Sequence, residues 1–73
     1  MKVFIFHHTQ DLQDYNEHEV FATLDEAQTA FNEARDFIKK EASIFEIYND
    51  GEDEFYFDTS NGQEKLYITE HEI

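Results

Sequence analysis

The chain has no cysteine, no proline and no tryptophan, only two glycines, and only five basic residues among its 73. Without cysteine it can form neither disulfides nor thiolate metal sites, which fits a reducing interior. The only long apolar run, Val3-Phe4-Ile5-Phe6, ends at His7-His8. It is far too short for a signal-peptide core or a membrane span, so the expected location is the cytoplasm, away from membranes. Five bases cannot offset eighteen acids at a phosphate backbone, so direct nucleic-acid binding is not expected. Both glycines sit in turn segments, which leaves no phosphate-binding glycine loop. With no cysteine nucleophile, only Ser43 and Ser60 as serines, and too many carboxylates to single out an acid–base pair, the chain reads as non-catalytic.

What is present is aromatic and acidic. Eight Phe and four Tyr argue against disorder despite a formal charge of −13. That charge favours encounters with basic partners. It is uneven: residues 1–40 carry eight acids and four bases, whereas residues 41–73 carry ten acids and Lys65 alone. A domain of this size gains only ~3–5 kcal/mol from its core, so a partner surface would add much to its stability.

Lys2–His8 reads as a central strand, apolar at both parities and therefore covered on both faces. Residues 9–17 read as a polar loop and His18–Ala22 as a second, short strand. Thr23-Leu24-Asp25-Glu26 is a capping box. From it a helix over about 24–40 follows, with Ala27, Ala30, Phe31, Ala34, Phe37 and Ile38 on one face, Phe31 and Phe37 as large anchors, and Lys39-Lys40 in the last turn.

Ile44–Tyr48, Glu54–Asp58 and Lys65–Thr69 read as three further strands. An Asn61-Gly62 hairpin turn sets Phe57 opposite Leu66, Tyr56 opposite Tyr67, Phe55 opposite Ile68 and Asp58 opposite Lys65. An odd-length turn within 49–53 pairs Ile47 with Phe55 and Phe45 with Phe57. Phe45, Ile47, Phe55, Phe57, Leu66 and Ile68 then share the core face. The opposite face carries Glu46, Tyr48, Glu54, Tyr56, Lys65, Tyr67 and Thr69, and much of the acidity beyond residue 40 is expected beside its three tyrosines. The expected fold is α+β, ββαβββ: one domain over 1–73, an antiparallel sheet of four or five strands with the helix on one face.

The candidate partner-binding residues are Glu46, Tyr48, Glu54, Tyr56, Asp58 and Tyr67, because tyrosine among carboxylates gives broad amphipathic contact at low entropic cost. The partner is a protein with a basic surface, which carboxylates spaced like a nucleic-acid backbone would attract, or a second copy in a homodimer. A divalent ion is a further alternative, through Asp50–Glu54 or the histidines. The turn fails the EF-hand pattern, however, since Tyr48 and Phe57 stand where oxygen ligands are needed. His7 and His8, adjacent on a strand, point to opposite faces. No metal site and no cofactor are therefore assigned.

The segment Lys2-Val3-Phe4-Ile5-Phe6-His7-His8, an acidic loop, and Val20-Phe21-Ala22-Thr23-Leu24-Asp25-Glu26-Ala27 leading into the helix resemble small uncharacterised acidic bacterial and phage proteins that begin with a strand ending in His-His. The resemblance covers about residues 2–34. It implies a phage or prophage origin and a small acidic binding protein rather than an enzyme; with the charge spacing of the sheet, the function expected is that of a phage-encoded inhibitor or nucleic-acid mimic acting on a basic host protein.

Overall fold

Thr23 starts the one helix by the expected local chemistry. Its hydroxyl oxygen accepts from the Glu26 amide at 3.2 Å, and the same hydroxyl donates to the Glu26 carboxylate at 3.0 Å, so the box closes on the hydroxyl. In the computed structural model, which describes residues 1–12 and 15–73, the chain order is β1 (Lys2–Gln10), β2 (Tyr15–Phe21), α1 (Leu24–Glu41), β3 (Glu46–Asp50), β4 (Glu54–Thr59) and β5 (Gly62–Glu72). The strands form one antiparallel sheet in the order β2-β1-β5-β4-β3 with α1 against one face, the expected ββαβββ arrangement. β1 is internal, but β5 holds the centre. Because one helix covers one face only, Val3 and Ile5 of β1 lie half-buried on the uncovered side.

The first hairpin takes up most of the segment expected as a 9–17 loop, with Thr9 opposite Asn16 and Gln10 opposite Tyr15; residues 13 and 14 lie outside the described residues. Polar side chains extend a strand readily where one face is open, since ladder bonds use only the backbone. The opposite end of this hairpin stops at Phe21, one residue short of the expected Ala22.

The β4–β5 turn is Ser60-Asn61, with Thr59 opposite Gly62. Every expected pair is thus displaced by two residues: Phe57 faces Glu64, Tyr56 faces Lys65 and Phe55 faces Leu66. A shift of two leaves each side chain on its face. Gly62 is required here for two reasons. Its φ is +90°, and a Cβ would stand 2.7 Å from Cγ of Leu12, which folds over it from the first hairpin.

Between β3 and β4, Glu46 faces Asp58 and Ile47 faces Phe57; then a bulge at Tyr48 steps the register so that Asn49 faces Tyr56 and Asp50 faces Phe55. The displacement carries Phe45 beyond β4's apolar pair. Expected in the core, it is 66% exposed, and Ile44 packs there instead. Ile47, on the edge strand, is likewise exposed.

The core is Phe31, Ile38, Phe55, Phe57 and Leu66, flanked by Phe6, Ala34, Ile44 and Ile68. The helix contributes the narrow row Ala27, Phe31, Ala34 and Ile38. Phe37, expected as an anchor, lies about 100° around the axis from Ile38 and is 66% exposed. Phe31 meets the edge of Phe6 at 6.2 Å between ring centroids.

Candidate functional site: the open sheet face

All six candidate residues lie on the face away from the helix. Antiparallel partners share a face, so Glu46 with Asp58, Tyr56 with Lys65 and Glu54 with Tyr67 belong together there. The bulge sets the Tyr48 ring against Tyr56, centroids 4.9 Å apart, and the Tyr56 hydroxyl donates to Gln63 Oε1 at 2.6 Å. Lys65 pairs with Glu54 at 3.3 Å and lies 5.0 Å over the Tyr67 ring.

The same face holds groups not included among the candidates. His7 stacks on Tyr67 at 4.4 Å with 8° between the planes, and stands directly opposite His18 on β2. Thr69 Oγ1 joins His7 Nε2 at 2.8 Å and His71 Nε2 at 2.9 Å. A continuous row of rings therefore crosses the sheet: Tyr48, Tyr56, Tyr67, His7 and His18, with the Lys65 ammonium between the second and third. Strand parity alone places His7 and His18 on the tyrosine side once the first hairpin register is known. The assumed loop over 9–17 hid that register.

The acidity is less concentrated here than expected. Of the ten acids beyond residue 40, only Glu46, Glu54 and Asp58 have open-face positions in the strands. Asp50 turns to the helix, where Lys39 reaches it at 2.5 Å and Arg35 at 3.7 Å, and Glu64, Glu70 and Glu72 fall on the helix side of β5. The physical reason is parity: the bulge reverses Asp50, and the even-numbered acids of β5 share a face with Leu66.

Local electrostatics follow these contacts. Partial desolvation, then Asp58 and Glu46, raise the Tyr48 phenol above its ordinary pKa. The Asn49 amide, 3.0 Å from its carboxylate, and Lys65 lower Glu54. Desolvation, then the neighbouring His18 and His71, lower His7.

The Asp50–Glu54 turn is docked on the helix. Arg35 donates to the Gly51 carbonyl at 3.2 Å and Gln28 to the Glu52 carbonyl at 2.5 Å. With Asp50 and Glu54 already engaged by cations, their carboxylates are aimed at side chains. Among the described residues, no three His, Asp or Glu side chains stand together as a metal-ligand set.

On the helix side, Glu64 is 5% exposed yet fully partnered. Its Oε1 accepts from His8 Nε2 at 2.9 Å and Gln10 Nε2 at 3.0 Å, while Oε2 accepts from the Thr59 hydroxyl and, at 3.5 Å, from Asn61 Nδ2. Burial pushes its carboxyl pKa up, but the bonds from Thr59, His8 and Gln10 and the charge on His8 outweigh this and hold it below the ordinary range. The network ties β1, β4 and β5 together where both hairpin turns meet.

No described helix is long and apolar enough to cross a membrane. Compared with known proteins, the chain matches no family model, no curated protein and no solved structure.

Proposed function

We propose that this chain is a non-catalytic protein-binding module of the cytoplasm whose contact surface is the open sheet face, and whose partner presents a basic surface to it. The observation that carries the reading is the uncovered row Tyr48–Tyr56–Tyr67 set among Glu46, Glu54 and Asp58. A five-stranded sheet with a single covering helix leaves one side to water or to a partner. Tyrosines already stacked and hydrogen-bonded lose little freedom on contact. Asp58 and Glu46, directly opposed across two strands, repel each other in the free chain; a Lys or Arg set between them would relieve that repulsion. A basic protein that normally holds nucleic acid fits this description, which is how a phage-encoded inhibitor would act.

The test is capture of basic proteins from a bacterial lysate by the immobilised chain, at low and high salt, with duplex DNA as competitor. Retention should fall with salt and be lost in a Glu46→Lys, Asp58→Lys, Tyr56→Ala chain, but survive Glu33→Lys, Asp36→Lys on the helix. Retention that follows the helix variant would refute the assignment to this face.

A further inference from the structure

The open face sets Glu46 and Asp58 at one corner and its histidines at the opposite one, with the Glu54–Lys65 pair between them. Glu46 and Asp58 lie level with Gln63 of the middle strand, on the β3–β4 side; among the described residues neither has an ion pair. His7 and His18 lie level with Tyr67 on the β1–β2 side, and His71 lies four residues beyond Tyr67 along β5. Each corner juxtaposes like groups across strands, an arrangement that is unfavourable within one chain. Between the corners lie Tyr67 and Lys65, the lysine already paired with Glu54.

A surface of this kind is complementary to itself. An isologous interface needs each patch to meet its complement twice about a twofold axis. An axis in the plane of the face, diagonal to the strands and near Tyr67, exchanges the two corners. We infer that, where no basic partner holds it, this face is occupied by a second copy of this chain, with Glu46 and Asp58 of each copy over His7, His18 and His71 of the other. The strands of the two copies then cross steeply, a recognised mode of sheet packing. Five strands ~4.8 Å apart and about seven residues long offer roughly 500 Å² of flat area per copy, which side-chain relief raises toward the ~800 Å² per partner of a stable interface.

The arrangement makes association depend on protonation. In the single chain His7 meets His18 from β2 and Tyr67, Thr69, His71 and Lys65 from β5; the carboxylates of this face stand on β4 and β3, Glu54 opposite Tyr67 and paired with Lys65, Glu46 and Asp58 at the far corner, while the helix, Glu17 and Glu19 lie on the other face. Desolvation and the two histidines disfavour its charged form there. Carboxylates of a second copy would favour that form and raise the pKa of His7 on association. The dimer is thus tightest below the single-chain pKa of His7 and loosens as pH rises through the dimer value.

The inference rests on the open face being a contact surface, and a dimer would mask that surface from a basic partner. Sedimentation of the purified chain at about pH 5.5 and about pH 8 should show a dimer that is at least ~tenfold tighter in acid, since several exposed ion pairs each contribute a factor of about one and a half to five. A chain carrying Glu46→Lys and Asp58→Lys, and another carrying His18→Glu and His71→Glu, should each remain monomeric. Mixed near neutral pH they should form a heterodimer, with circular dichroism confirming that both are folded. A wild-type chain that stays monomeric at both pH values, or swapped chains that do not pair, overturns the inference. If such a monomer still captures basic proteins through Tyr56, only the second copy is lost; if it captures none, the contact reading fails with it.

Discussion

Replacing Glu64 with glutamine removes one negative charge from the least exposed acid among the described residues and changes almost nothing in volume. The four donors that converge on its carboxylate then meet one oxygen and one amide nitrogen. Either the His8 and Gln10 pair or the Thr59 and Asn61 pair faces a group that also donates. Losing a charge-assisted buried bond costs ~1.5–3 kcal/mol, and the unmet donor adds to it. Against a total of ~3–5 kcal/mol for a domain of this size, a loss of ~2–3 kcal/mol at neutral pH lowers the melting temperature by ~10–20 °C. Glu64 has a folded pKa below its unfolded value. Its contribution is therefore complete above the ordinary glutamate range and is lost as pH falls through the folded value. The general relief of repulsion among the other acids on acidification is common to both chains and cancels in their difference. Paired thermal melts of wild type and Glu64→Gln from about pH 7 to about pH 3 should show a large gap that closes only below the ordinary glutamate range. A gap of a degree or two at neutral pH, or one that is the same at every pH, refutes the network's role.

Gly62→Ala should destabilise the chain by ~1–3 kcal/mol in urea unfolding, through both its positive φ and the collision with Leu12; adding Leu12→Ala should recover the steric part and leave the backbone part. Phe31→Ala should cost ~3–5 kcal/mol and largely unfold the chain, whereas Phe37→Ala should change stability by no more than ~0.5 kcal/mol; equal effects would refute the assignment of helix faces. By NMR titration at concentrations where the chain is monomeric, His7 should lose its proton below the ordinary histidine range, and His18→Gln should move it back toward that range; no response to the substitution would exclude His18 as a cause.

Element order and the faces of the C-terminal strands were legible because they rest on parity and capping, which survive errors of position. The Asn61-Gly62 pair marked the right turn but misplaced it by one residue, which shifts every pair by two, and Phe55, Phe57 and Leu66 still fell on the core side. What was illegible depended on reach. Phe45 and Phe37 carry the right period for burial, yet one lies past the end of the apolar strand pair and the other at the flank of a narrow helix row. A tertiary displacement of a few ångströms decides such positions. The six candidate residues follow from alternation, whereas the histidines, weighed only as ion ligands, were not placed on this face because Thr9, Gln10, Asn16 and Glu17 resemble loop residues until β1 is seen beside β2. The buried place of Glu64 had no signal in its own residue type. Only its parity with Leu66 pointed inward, and polar partners from three strands had to converge to make that place tenable.

β5 follows every other strand in the chain and occupies the middle of the sheet. The β1–β2 and β3–β4 hairpins can each form locally, but they share no edge, and their only connection within the sheet is the strand inserted between them. Until it arrives each hairpin exposes an unpaired inner edge, and the helix has Phe55 and Phe57 beneath it without Leu66. β5 can join β4 locally across the two-residue turn, so the late step is its pairing with β1. It joins residues more than sixty positions apart, such as Val3 and His71, and it favours slow, all-or-none folding over stepwise growth along the chain.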